Sequence, residues 1–187
     1  DVMNRQEGNS LPVSTMVKYG LADGTWPAGT SKFEKRGAAV EVPAWDSSKC
    51  LQCNQCALVC PHAAIRPILL DEAEESAKPA EFETVAAKGM NGKYTYRLQV
   101  SPYDCLGCGV CLTACPAKDA LTWAPFEEMK SEQPLFDDVA MNESYLKKDV
   151  ISDKSVKNVQ FAKPYFQFSA ACAGCAATTY IKLLSQL

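Results

Sequence analysis

The chain has 187 residues, 47% apolar and 22% charged, with a formal net charge of −3. That composition excludes a disordered chain, and so small a net charge supplies no basic field for nucleic acid. No apolar run reaches the roughly 20 residues needed to span a bilayer. The start, Asp1-Val2-Met3-Asn4-Arg5, has no initiator Met and no signal-peptide core, so it reads as a segment of something longer. Residues 1–38 carry Gly20, Asp23-Gly24, Pro27, Gly29 and Gly37 with weak periodicity, and predict an irregular arm with at most short strands. Ala38-Ala39-Val40-Glu41-Val42 is a short strand candidate leading into a cysteine-rich stretch. Residues 71–90 are polar and helix-favouring, and read as a surface insertion. Asn91-Gly92 then signals a hairpin before the alternating strand Tyr94–Val100. Residues 126–158 lack periodicity and predict a linker that wraps the outside. Thr179–Leu184 starts an apolar helix, again as if continuing into a longer chain.

An internal repeat organises the middle. Cys50, Cys53, Cys56, Cys60 and Pro61 match Cys105, Cys108, Cys111, Cys115 and Pro116 at an offset of 55. Val42-Pro43-Ala44-Trp45-Asp46 matches Val100-Ser101-Pro102-Tyr103-Asp104 at 58, and Ala64-Ile65 matches Ala120-Leu121 at 56. Each half reads strand, aromatic-Asp turn, cysteine loop, short helix, Pro, strand, so two halves related by a pseudo-twofold would pack their strands together.

Ten cysteines could form a disulfide framework, but that belongs to small exported scaffolds. Here the thiols come in tight triplets that converge on one point, which suits metal ligation in a reducing compartment. In a C-x2-C-x2-C-x3-C-P run, three thiolates hold one [4Fe–4S] cube and the fourth Cys ligates the other cluster. The spacing thus predicts one cluster on Cys50, Cys53, Cys56 and Cys115, and a second on Cys105, Cys108, Cys111 and Cys60. Gly107 and Gly109 would let backbone approach the second cube. Leu51, Leu58, Val59, Leu106, Val110 and Leu112 can exclude water. Zinc is the alternative, since C-x2-C pairs also make four-thiolate sites, but those use two pairs rather than two triplets each followed by Cys-Pro. The fold class predicted is α+β: a bacterial 2[4Fe–4S] ferredoxin-like pseudo-twofold domain over 39–125, with a helical insertion at about 68–92. The arm at 1–38 precedes it, and 126–187 follows as a linker and the start of a next domain.

Longer strings resemble one family, the pyruvate:ferredoxin (2-oxo-acid:ferredoxin) oxidoreductases. They are Leu11-Pro12-Val13-Ser14, Asp23-Gly24-Thr25-Trp26-Pro27, Glu34-Lys35-Arg36-Gly37, Cys50–Cys56, Cys60–Pro67, Ser101–Cys111 and Phe168–Cys175. The resemblance runs over nearly the whole chain but covers a small part of the family's length. It implies a medial and a distal electron relay in an enzyme that decarboxylates a 2-oxo acid on thiamine diphosphate with Mg. Coenzyme A takes the acyl group, and an external ferredoxin or flavodoxin takes the electrons. Nothing here resembles the thiamine or substrate sites, so this chain alone should only transfer electrons, as a cytoplasmic segment of anaerobic metabolism. Cys172 and Cys175 resemble the first two ligands of a third cluster, whose other ligands lie further along. Their flanks depart, with Ala170 for a Gly, and with Ala176-Ala177-Thr178-Thr179-Tyr180 where the family has Gly-Glu-Thr-Pro-Tyr. We therefore read them as free thiols or a disulfide rather than a third cluster held by this chain.

His62, the single histidine, reads as a surface residue or one that tunes a neighbouring cluster, in preference to a proton relay. Trp45 and Tyr103 read as packing over the clusters. Asp71–Glu75 reads as a solvated helix face, and Lys147-Lys148 as a weak attraction for an acidic ferredoxin. Two other functions stay open: a free-standing ferredoxin-type carrier, and a structural or regulatory iron–sulfur protein.

Overall fold

In the computed structural model all residues are described except Asp1, Met3, Trp26 and Asp153, together with the side chain of Lys148. The resemblance carried by Trp26, and the part of the terminal reading on Asp1 and Met3, therefore lie outside the described residues. Residues 1–30 and 31–187 form two compact units. In the first, a 3-10 turn at Gly8–Ser10 precedes helix α1, Val13–Lys18. The arm was expected to hold at most short strands; its described residues hold a helix instead. Pro12 fixes the approach to the first turn, and Gly20, at φ +71°, breaks the chain just after it.

The second unit is built on two antiparallel sheets. Strand β1, Glu41–Trp45, leads to helix α2, Gln55–Val59, and on to β2, Ile65–Leu70. Helix α3, Glu72–Ala77, and the short β3, Val85–Ala86, form the insertion before β4, Thr95–Val100. Helix α4, Val110–Ala114, and β5, Leu121–Pro125, complete the second half. β1 pairs with β5, and β4 lies between β2 and β3. Each half's final strand thus pairs with the other half's first. The Asp46 N–H donates to Ala120 O at 3.0 Å, and the Ser101 N–H donates to Ala64 O at 2.8 Å, so the repeat-matched Ala64 and Ala120 carbonyls each accept from the other half. Pro67 is tolerated because β2 is an edge strand. At the Asn91-Gly92 turn both residues have positive φ, 51° and 72°, and the Lys93 N–H donates to Met90 O at 2.9 Å. That is the twist a tight hairpin needs.

Alternation along β2 and β4 serves two cores rather than one core and solvent. Ile65, Leu69, Tyr96, Leu98 and Val100 face the cysteine loops, whereas Ile68 and Leu70 join Phe82 and Val139 on the other side. Arg97 and Gln99 also point to that outer side. The Arg97 guanidinium lies 4.7 Å from the Phe82 ring centroid and donates to Glu132 at 2.7 Å, as does the Gln99 amide.

The segment after β5 packs over that outer side in short helical pieces. Helices α5 (Phe126–Met129) and α6 (Glu132–Leu135), a π-helical turn at Phe136–Ala140, and helices α7 (Lys148–Ile151) and α8 (Val156–Val159) follow one another. They bury Gln133, Phe136, Val139, Val150 and Val159. The chain ends in α9, Ala176–Gln186. Among the described residues no helix is long and apolar enough to cross a membrane.

Candidate metal centres

Both cysteine loops are shaped by left-handed backbone at matched positions. Gln52 and Gly107 have φ of 57° and 64°, and Asn54 and Gly109 have 61° and 75°. This curls each loop so that a backbone N–H points back at sulfur. The Gln52 N–H lies 3.3 Å from Cys50 Sγ, and the Gly107 N–H lies 3.4 Å from Cys105 Sγ. Glycine adopts this conformation freely, but Gln52 and Asn54 must be held in it. The Gln52 amide donates to Ala86 O at 2.9 Å and accepts from the Lys88 N–H at 2.7 Å. The Asn54 amide donates to Lys157 O at 2.9 Å and accepts from the buried Tyr96 hydroxyl at 2.9 Å. The first half thus obtains from the insertion and the 126–187 segment what glycine gives the second.

The eight paired cysteines line two small cavities. Cys50, Cys53, Cys56 and Cys115 line one, with Trp45, Leu51 and Leu121. Cys60, Cys105, Cys108 and Cys111 line the other, with Pro43, His62, Leu106 and Trp123. In each, one cysteine comes from the opposite half. Burial and then the neighbouring Cys50 push the Cys56 thiol up to about 12, with Cys53 and Cys115 adding smaller contributions. Burial pushes Cys105 up to about 12, against the Gly107 N–H, and likewise raises Cys111. Burial thus disfavours the thiolate form of Cys56, Cys105 and Cys111, and a multivalent cation bound among the thiols would favour it.

Other features of these cavities suit an iron–sulfur group. The Trp45 indole Nε1–H beside the first cavity is buried with no hydrogen-bond partner, and so is His62 Nε2 beside the second. A donor beside a cluster can bond to its sulfurs, one of the protein's means of setting potential.

His62 is buried rather than at the surface. Its backbone O accepts from the Phe168 N–H at 2.9 Å, and its Nδ1 lies 3.5 Å from Ser169 Oγ. Burial holds the imidazole below its usual pKa, against hydrogen bonds with the Ser169 and Cys172 backbone. Tyr103 lines neither cavity. It packs edge-on to Phe126 at 5.1 Å, because the segment after β5 folds back over the turn that carries it. Lys147 is buried and paired with Glu74, and lies 3.4 Å from Asp71, so it is no surface attractor. Glu74 and Glu75 in turn face inward, Glu75 accepting from Thr84 at 2.7 Å and Thr95 at 2.6 Å.

No disulfide joins Cys172 to Cys175 or links any other pair of the ten cysteines. The Cys175 N–H donates to Cys172 O at 3.1 Å, and hydrogen bonding from the Thr178 backbone lowers the Cys175 thiol below its usual pKa. This loop packs on the second cavity: a Cβ on Gly174 would lie 3.7 Å from Cys108 Cβ.

Lys182 was not singled out by its sequence. It is buried in α9 with its ammonium against the carbonyls of Ala57, Leu58 at 2.8 Å and Cys60 at 3.0 Å. Burial pulls it down to about 8, opposed mainly by Cys60. Its one sequence signal is a lone cation inside an apolar run, three residues after Thr179, whose hydroxyl reaches Val59 O at 3.4 Å.

The repeated loops and crossed cavities define the class: an α+β domain for two [4Fe–4S] clusters. Residues 49–119 match a family described as a 4Fe-4S dicluster domain, and residues 1–39 match one described as a domain of unknown function, EKR. Over 99% of its length the chain is 49% identical to a pyruvate-flavodoxin oxidoreductase of Enterobacter agglomerans, covering 15% of that protein. It is 46% identical to a pyruvate:ferredoxin oxidoreductase of Moorella thermoacetica over 99% of the chain and 16% of the relative. A pyruvate dehydrogenase [NADP(+)] of Cryptosporidium parvum is 44% identical over 99% of the chain and 9% of its own length. The chain thus spans about one-sixth to one-seventh of the length of these pyruvate-flavodoxin and pyruvate:ferredoxin oxidoreductases.

Proposed function

We propose that the chain is the electron relay of a pyruvate (2-oxo-acid) oxidoreductase, with Cys50, Cys53, Cys56 and Cys115 ligating one cluster and Cys60, Cys105, Cys108 and Cys111 the other. The observation that carries this reading is the crossed grouping of the eight thiols in two cavities. When bound, each [4Fe–4S] cluster takes up and releases a single electron. The residues of this chain hold the two sites at fixed separation through α2 and α4, exclude water with Leu106, Leu121 and Trp123, and offer N–H groups at Gln52 and Gly107. The cavity of Cys60 is the side on which electrons come in, because the Cys172–Cys175 loop and His62 lie against it. The other cavity is the side on which they leave, beneath the exposed Leu51, to an external ferredoxin or flavodoxin. Decarboxylation on thiamine diphosphate with Mg, and acyl transfer to coenzyme A, belong to other parts of such an enzyme. Cys172 and Cys175 supply at most two ligands to a further cluster.

Iron and sulfide analysis of anaerobically purified chain should give about eight of each. About four would break the paired reading, and about twelve would show a third cluster. Cys60→Ala should remove the EPR signal of the cluster held by Cys105, Cys108 and Cys111 and spare that of its own loop. The opposite result would overturn the crossing.

A further inference from the structure

Lys182 poses an electrostatic problem that the relay reading alone does not resolve. Its ammonium faces three carbonyl oxygens, those of Ala57, Leu58 and Cys60, and satisfying all three takes all three N–H bonds of the charged form. The side chain is 1% exposed, and among the described residues no carboxylate pairs with it. A second buried cation, Arg66, lies close enough to repel it. A buried charge without a counter-ion is costly, and two of like sign together are costlier. What attracts Lys182 is the carbonyl end of α2, the helix that carries Cys56 and leads to Cys60. These two thiols belong to different cavities, so the lysine sits at the link between the two centres.

The repeat has no counterpart for it. The equivalent carbonyls on α4 are those of Leu112, Thr113 and Cys115, and among the described residues no lysine or arginine donates to them. At the position matching Arg66 the second half has Thr122. Lys88 donates to Cys50 O at 2.7 Å from an exposed position, so it is the buried positive charge that gathers on one side of the pseudo-symmetric pair, around Cys60.

We propose that Lys182 is a positioning residue that raises the reduction potentials of both clusters, and more strongly that of the cluster ligated through Cys60. The proposal rests on the crossed ligand assignment. A fixed cation would stabilise the added electron and bias its residence toward the Cys60 side. It also makes the relay depend on α9, an element outside the ferredoxin-like repeat.

The test is an EPR-monitored anaerobic redox titration of the cluster-loaded chain carrying Lys182→Gln, Lys182→Met or Lys182→Arg. Wild-type chain lacking eight irons or two one-electron steps would sink the cluster reading itself, before any variant is compared. With both clusters present, Lys182→Gln and Lys182→Met should each lower the reduced-to-oxidised ratio of the Cys60 cluster about tenfold at fixed potential. That corresponds to ~59 mV more negative for a one-electron couple. The other cluster should shift less, and Lys182→Arg should stay near wild type. Unchanged potentials in a loaded neutral variant overturn the proposal. So does a shift in the Met variant without one in the Gln variant, since hydrogen bonds rather than charge would then be responsible. Loss of iron from both neutral variants would make Lys182 a structural fastener and overturn it equally.

Discussion

At the scale of single residues, backbone conformation is the recurring constraint. The second loop meets it with Gly107 and Gly109, and the first with side chains anchored elsewhere. Asn54 holds left-handed backbone while its amide satisfies the buried Tyr96 hydroxyl and the Lys157 carbonyl. Asn54→Ala removes both partners and makes the conformation harder to hold, and should destabilise the unit by roughly 2–4 kcal/mol. Asn54→Gly relieves the strain but leaves the same groups unpaired, so it should cost about half as much. Anaerobic thermal melts of the loaded variants check the ranking, and Gly falling below Ala would refute it. This anchoring is invisible in the sequence. Gln52 and Asn54 look like ordinary polar spacers between cysteines, and their partners are 34 to 103 residues away.

At the scale of elements, the insertion is fastened by charge. Asp71 and Glu74 form a reciprocal cap at the start of α3, and Lys147 reaches both from the segment before α7. The reading of 71–75 as a solvated face followed from composition, since a run of acids on a short helix normally faces water. It fails at Glu74 and Glu75 because the outer face of β2 and β4 needs covering, and the insertion and the 126–158 segment cover it together. Lys147→Met should leave Glu74 partly buried without its cation. We expect a cost of roughly 1–3 kcal/mol, moderated by the exposure of Asp71. Cleavage within residues 71–90 by a Glu-specific protease should quicken by at least several-fold, as the open population rises. Adding Glu74→Gln to Lys147→Met should recover part of the loss, and strict additivity would argue against the pair.

For the molecule as a whole, the proposed crossed ligation makes metal and fold interdependent in residues 31–187, while residues 1–30 contain no cysteine. Removing iron with oxidant and chelator should therefore strip hydrogen-exchange protection from β4, where Tyr96, Leu98 and Val100 are buried beside the loops. Peptides from residues 1–30 should exchange as before. Protection retained in β4 after complete iron loss would show that the two cores stand without the clusters.

Much of the centre was legible beforehand, because ligand spacing is local. Four cysteines at fixed intervals, twice, specify loop length, thiol number and the need for a partner loop. The chain's own residues thereby determined the α+β class, the two-cluster content and the hairpin at Asn91-Gly92. What only the tertiary structure decided is how the pseudo-twofold is broken. Lys182 on α9, the anchors of Gln52 and Asn54, and the second core beneath residues 126–158 all act on one half or one face. Each depends on contacts between residues far apart in sequence, and no periodicity or motif encodes which distant carbonyl a buried ammonium will meet.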